Sequence, residues 1–182
     1  KDDLVCSLEV IEIMDYNRTC IIEYKNPPSP NLKSFSAILL YPSLCFFEGT
    51  SISVGRGTNY PFEMYGAPFF NTNYQFTPKS NFGAKNPKYN KQKCYGFNLT
   101  NYFNDEELKV HEINLGFLIN AYNLTPSNLK SDFFNSFFNN LAGNDKLKNQ
   151  IINNVSEDDI RKSWHIDLQE FKLIRSKYLL YN

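Results

Sequence analysis

Between Leu40 and Pro68 the chain reads LYPSLCFFEGTSISVGRGTNYPFEMYGAP, and no other stretch restricts its fold as much. An apolar run, Leu44-Cys45-Phe46-Phe47, delivers one acid, Glu48, directly into a polar, turn-forming segment. Gly49, Gly55 and Gly57 allow backbone with φ above zero, or close approach of another group to the main chain. Between them stand the hydroxyl side chains Thr50, Ser51, Ser53 and Thr58 and a single cation, Arg56. Folded structure rarely requires an acid at the edge of a hydrophobic run followed by so many small polar groups. Carbohydrate sites often do.

The rest of the chain supplies a body for that segment. Its 182 residues suit one domain, large enough to bury a core without staples. The balance of 19 basic and 19 acidic residues leaves no basic footprint of a nucleic-acid binder. No run approaches the roughly 18 apolar residues needed to cross a bilayer. The first residue is Lys1 rather than Met, as in a processed or trimmed product. Cys6, Cys20, Cys45 and Cys94 lack the CxxC spacing of a zinc knuckle or redox site. Their even number permits disulfides, although Cys45 lies in an apolar run where a buried free thiol is at home. His111 and His165 are too few and too distant for a His-rich metal site, and the chain holds no Gly-rich phosphate loop or HExxH motif; no metal or organic cofactor is expected.

Leu4 to Met14, rich in β-branched and apolar residues, predicts a largely buried strand. Asn26-Pro27-Pro28-Ser29-Pro30-Asn31 is a rigid loop, because three prolines remove donors that a helix or ladder requires. Ser34 to Tyr41 predicts a short helix capped by Ser34 or Ser36 and ending near Pro42. Ser51 to Val54 alternates as a short strand ending at Gly55. Residues 71–93 read as a long ordered loop with a strand near Tyr74 to Thr77, and such loops often bind ligands. Lys93 to Leu99 predicts another strand.

The second half is helical. Glu112 to Tyr122 has apolar residues near one face, and Phe133, Phe134, Phe137, Phe138 and Leu141 form an aromatic stripe stopped by Gly143. Asp145 to Asn153 predicts a short helix. Ser156 and Asp159 resemble a capping box, followed by Ile160, Trp164, Leu168, Phe171 and Ile174 at helical spacing. That strip is expected to lie buried along one long helix. Strands and loops first, then helices, without βαβ alternation, define an α+β fold: a small mixed or antiparallel sheet with irregular loops, and helices packed on it.

Glu48 has two readings. As a proton donor to a glycosidic oxygen it would draw on the apolar Phe46-Phe47 flank to favour its protonated form. As a structural residue it would accept hydrogen bonds from the Gly49–Ser51 turn or pair with Arg56. Arg56, between two glycines, can present its planar fork to a carboxylate or form a salt bridge with Glu48 or Glu63. Tyr60, Phe62 and Tyr65 offer ring faces for a sugar or side chains for the core. Ser29 and Asn31 can bind sugar hydroxyls or cap the helix near Ser34. Glu63 is the nearest other acid, and its spacing does not mark it as a catalytic partner.

The segment YPSLCFFEGTSISVGRGTNYPFEMYGAP resembles the signature of the NamZ-type exo-β-N-acetylmuramidases. The resemblance continues through Pro28-Ser29-Pro30-Asn31, Phe76-Thr77-Pro78, Cys94-Tyr95-Gly96, Leu141-Ala142-Gly143, Trp164 and RSKYLLY at Arg175–Tyr181. It covers the C-terminal half of such enzymes, whose N-terminal half is Rossmann-like. It implies a bacterial periplasmic or secreted protein acting on peptidoglycan fragments and releasing N-acetylmuramic acid from their non-reducing ends. Glu48 is then the catalytic candidate, and Arg56, Ser29, Asn31, Thr50 and Tyr60 the substrate-binding ones. The second catalytic group would come from the other half or from the substrate's own acetamido group, leaving the isolated chain inactive. The alternative is a non-catalytic peptidoglycan-sugar-binding or scaffolding domain.

Overall fold

The computed structural model describes residues 6–20, 22, 25–103 and 112–181. Contacts divide the chain into two compact units, one of residues 6–20, 22 and 163–181, the other of 25–103 and 112–162.

The larger unit opens with the rigid proline loop and then helix α1 (Phe35–Leu44). Ser34 is its N-cap: the hydroxyl accepts from Ala37 N at 3.0 Å and donates to the buried Glu63 carboxylate at 2.7 Å. The helix runs past Pro42 rather than ending there, then tightens into a 3₁₀ turn, Cys45–Gly49. The chain leaves that turn extended at Thr50, with φ −131° and ψ 177°.

Strands β1 (Met64–Ala67), β2 (Tyr74–Phe76) and β3 (Cys94–Asn98) form an antiparallel sheet in the order β1-β3-β2. Gly66 and Gly96 face each other across β1 and β3. A β-carbon on Gly96 would run into the Tyr65 carbonyl, so these two strands close only over glycine. Ser53 adds one bridge to the outer edge of β1, exchanging two 2.9 Å hydrogen bonds with Gly66. Ser51 to Val54 is thus a single bridge instead of a strand. Strand β1 itself has no alternation to betray it, because all four residues are buried.

The helices follow as α2 (Gly116–Leu124), α3 (Phe138–Ala142), α4 (Lys146–Ile152) and α5 (Glu157–Ser163). Helix α2 starts later than expected because residues 114–116 bond to side chains instead. Asn114 N donates to Ser43 Oγ, Leu115 N to Glu157 Oε1 and Gly116 N to Asn114 Oδ1. Gly143 closes α3 at φ 77°. Ser156 caps α5, but through one half of a capping box: Asp159 N donates to Ser156 Oγ, and the Asp159 carboxylate accepts from that hydroxyl at 2.7 Å. The fold is α+β, with its small sheet in the first half and helices in the second. Rings knit its core, with Phe47 stacked on Tyr65 at 5.1 Å, Tyr65 on Phe97 at 5.0 Å, and Phe134 edge-on to Phe138 at 4.5 Å.

The smaller unit corrects two expectations. The described part of the segment from Leu4 to Met14 forms no strand, and its Leu8, Ile11 and Met14 are exposed. No other described strand offers that segment a ladder; Leu4 and Val5 lie outside the described residues, as does His111. The predicted long helix is divided at Trp164 into α5 and α6 (His165–Ser176), and α6 has no buried residue. Ile160 is fully buried, whereas Leu168, Phe171 and Ile174 are exposed. Helical spacing reveals an apolar face but not what covers it. Within this unit Tyr181 meets Tyr16 edge-on at 4.9 Å and accepts a hydrogen bond from Ile13 N at 2.7 Å.

Candidate active site

The 3₁₀ turn that ends α1 carries Glu48 on a backbone held from three sides. Gly49 packs directly on the start of α3, where a β-carbon would come 2.5 Å from Phe138 Cα. Ser51 N donates to Phe133 O at 2.8 Å and Asn135 N to Gly49 O at 3.0 Å, docking the turn against residues 133–138. From the third side comes the loop after β2. Tyr89 donates its hydroxyl to Ser51 O at 2.7 Å, and Lys88 turns its ammonium into the turn.

That ammonium reaches four main-chain carbonyls: Phe47 at 2.7 Å, Thr50 at 2.5 Å, Ile52 at 3.2 Å and Glu48 at 3.4 Å. Burial pulls the Lys88 pKa down to about 8; the Glu48 carboxylate opposes that shift and Arg56 adds to it.

Gly55 and Gly57 adopt φ of 72° and 88°, the left-handed region their lack of a side chain permits. They fold the chain so that Arg56 returns over the turn. Its Nη1 lies 3.2 Å from Glu48 Oε1, with the two side chains 42% and 30% exposed. The pair opens onto a hollow of about 290 Å³, lined also by Ile52, Val54, Lys88 and Phe137, close to the small end of ligand sites. Glu48 is the acid among the residues lining it. Phe137 is half-exposed at its edge, unlike Phe133, Phe134 and Phe138 of the same stripe, which are buried.

Of the residues expected to bind substrate, Arg56 shares the hollow with Glu48, and the others lie elsewhere. Thr50 is buried, and its hydroxyl donates to Phe47 O and accepts from Ile52 N. Ser29 Oγ accepts from Asn31 N, and the Asn31 amide donates to Gly83 O at 2.7 Å. Neither residue caps α1, a task Ser34 performs. Ser29 lines a separate, open depression with Pro30, Lys33, Asn59 and Phe82. Tyr60 is exposed outside the hollow, and Phe62 and Tyr65 are core residues. Glu63 is spent on Ser34 and does not line the hollow.

The dense hydroxyls after Glu48 thus close turns. Thr58 Oγ1 donates to Gly55 O and Ser53 Oγ accepts from Gly55 N. Gly57 provides the close approach expected of it, but to the chain itself: Lys79 N donates to its carbonyl at 2.9 Å, and a β-carbon would strike Lys79 O. Sequence reasoning passed over Lys88 and Phe137. Lys88 is one of several lysines in an Asn- and Pro-rich loop, and Phe137 is hidden in a run of four phenylalanines.

An acid and a guanidinium are thus paired at an aromatic-edged hollow, on a turn built by α1 and held by an α+β body. The family model for the C-terminal part of exo-β-N-acetylmuramidase NamZ matches residues 39–181, and the chain belongs to this family. It is 33% identical over 167 residues to the peptidoglycan β-N-acetylmuramidase NamZ of Bacillus subtilis strain 168, covering 85% of this chain and 40% of that protein. A crystal structure of a DUF1343 family protein from Bacteroides fragilis superposes with a TM-score of 0.86 at 44% identity, over 93% of this chain and 47% of the other. A second DUF1343 structure from that organism shares the fold, with a TM-score of 0.58 at 16% identity over 88% of this chain and 46% of the other. The chain therefore spans less than half the length of these relatives.

Proposed function

We propose that this chain forms one wall of the active site of a bacterial peptidoglycan β-N-acetylmuramidase. The enzyme removes N-acetylmuramic acid from the non-reducing ends of cell-wall fragments, outside the cytoplasm. The pair with Arg56 is the contact expected of a structural Glu48, and the observation that carries the reading is that both side chains nonetheless open onto the hollow edged by Phe137. Held against a guanidinium, Glu48 can stabilise the positive charge that grows at the anomeric carbon as the glycosidic bond breaks. Arg56 gives Nη1 to Glu48 and retains donors for the lactyl carboxylate that distinguishes muramic acid from glucosamine. Phe137 offers a ring face to the sugar.

A hollow with one acid supplies half of the usual pair of carboxylates. An N-terminal, Rossmann-like half contributes the other group, or the substrate's acetamido oxygen acts in its place. The test is release of the chromophore from a chromogenic β-N-acetylmuramide, by this chain alone and by the same chain joined to that half. Turnover is expected from the joined protein and hardly any from the chain alone. Robust turnover by the chain alone would place both groups within it, and none from either would leave a sugar-binding role.

A further inference from the structure

Glu48 is held by more than its partner Arg56. The turn that carries it wraps around a cation from a different part of the chain, at a separation of about forty residues. Four carbonyl oxygens, from Phe47, Glu48, Thr50 and Ile52, converge on the Lys88 ammonium within 3.4 Å. An ammonium has three N–H groups, so the four acceptors share it as they would a bound metal cation. Carbonyls on one short turn repel each other when they point to one place, and a positive charge at their focus makes that shape stable.

The backbone around the lysine is committed to this arrangement. Tyr89, the next residue, has φ 57°, an uncommon conformation for a bulky side chain, and its hydroxyl ties Ser51 O to the same loop. Lys91 N donates to Pro78 O at 2.7 Å and Lys79 N to Gly57 O at 2.9 Å, fixing the loop at its base and to the segment bearing Arg56. A lysine serving only as a surface charge would need none of this.

We infer that Lys88 is a positioning residue. Its ammonium acts as a fixed internal cation that shapes the 47–52 turn and thereby sets the direction of the Glu48 carboxylate toward the hollow. This inference rests on the reading of Glu48 as an acting group, and it assigns a role to a lysine whose ammonium is turned onto the carbonyls of the turn. The charged groups facing the ammonium are Glu48 from the turn and Arg56 from the following segment. Lys85 lines the hollow from the same loop, and Tyr89 brings its hydroxyl. Residues 133–138, packed on the turn, contribute no titratable group.

Two readouts test the inference, one needing no substrate. Hydrogen exchange is followed at the Thr50, Ser51 and Ile52 amides of the turn and at the Phe97 and Leu99 amides along the β1–β3 ladder. In Lys88→Met the turn amides should lose protection by roughly tenfold to a hundredfold, the scale of hydrogen bonds to a charged group, while the sheet amides keep theirs. Lys88→Arg, which keeps a cation at the focus of the carbonyls, should hold the turn amides close to their wild-type protection. This second arm stands even where the Met variant does not fold. Turn amides that follow the sheet amides in every case would overturn the inference. In the joined enzyme, Lys88→Met should lower kcat by about tenfold or more with KM little changed. An inactive wild-type enzyme with the exchange result intact would count against the muramidase reading and leave the caged lysine standing. Full kcat in a folded Lys88→Met would remove Lys88 as a positioning residue.

Discussion

Gly49 rests against the main chain of Phe138 so closely that a β-carbon on the glycine would lie 2.5 Å from Phe138 Cα and 2.9 Å from its nitrogen. That contact fixes the distance between the Glu48 turn and the start of α3, and with it the gap between Glu48 and Phe137. The neighbouring atoms are backbone and cannot step aside by changing a rotamer. Gly49→Ala should therefore destabilise the larger unit by about 1–3 kcal/mol or more, the cost of overpacking a closed contact. A thermal melt checks it. An unchanged midpoint would mean the turn can move off α3 freely.

Helical periodicity past Ser156 treats Ile160 and Phe171 as equals, and the structure separates them. Ile160 is 0% exposed and Phe171 57%. Ile160→Ala should cost about 2–5 kcal/mol, while Phe171→Ala should stay within about 0.5 kcal/mol. Denaturant titrations of the two variants give the comparison. Equal losses would show that α6 is covered in solution.

Local signals were legible where one residue decides the geometry. Ser34 caps α1 because its hydroxyl meets Ala37 N, Ser156 caps α5 in the same way, and Gly143 ends α3. Strands β2 and β3 were visible as short segments rich in aromatic residues, whereas β1 was not, since Gly66 and burial on both faces erase the alternation. The pairing of Glu48 with Arg56 was legible, eight residues apart with glycines between them. Lys88 was invisible because its partners are main-chain carbonyls, which carry no sequence signature. Phe137 could not be told from its buried neighbours, because aromatic identity does not say which ring faces out.

The buried ammonium also has a consequence for folding. Lys88 titrates at about 8 when folded, against an ordinary value of 10.5. Between those values the unfolded chain binds more protons than the folded one, so stability rises with pH across that window. Below about pH 8 the burial penalty is present in full. The stability of wild type relative to Lys88→Met should therefore climb from pH 8 toward 10.5, as measured by urea midpoints at fixed temperature. A relative stability that falls over this range would contradict the lowered value.

Arg56 tests recognition apart from chemistry. Lysine at this position retains the charge but not the planar fork, and it can serve either Glu48 or a carboxylate with less geometric control. In the joined enzyme Arg56→Lys should weaken affinity for N-acetylmuramic acid by about tenfold, the scale of one charge-assisted hydrogen bond. Affinity for N-acetylglucosamine, which lacks the lactyl carboxylate, should hardly change. Calorimetry with both sugars makes the comparison, and an equal loss for both would assign Arg56 to holding Glu48 alone.

Glu48→Gln separates the two roles open to that acid. Glutamine keeps the size and an acceptor oxygen, but it removes the negative charge. The ion pair it breaks is partly exposed, at 30% and 42% of the two side chains, and such pairs contribute about 0–1 kcal/mol. The melting temperature should consequently move by only a few degrees. If Glu48 acts in the transition state, kcat of the joined enzyme should fall by at least about a hundredfold with KM nearly constant, because the lost interaction is absent from the ground state. A structural Glu48 gives the reverse: a clear drop in melting temperature, and activity lost only in proportion to the folded fraction. Both measurements are made on one preparation, so the two patterns cannot be confused. A well-folded Gln variant with undiminished kcat would take Glu48 out of the mechanism.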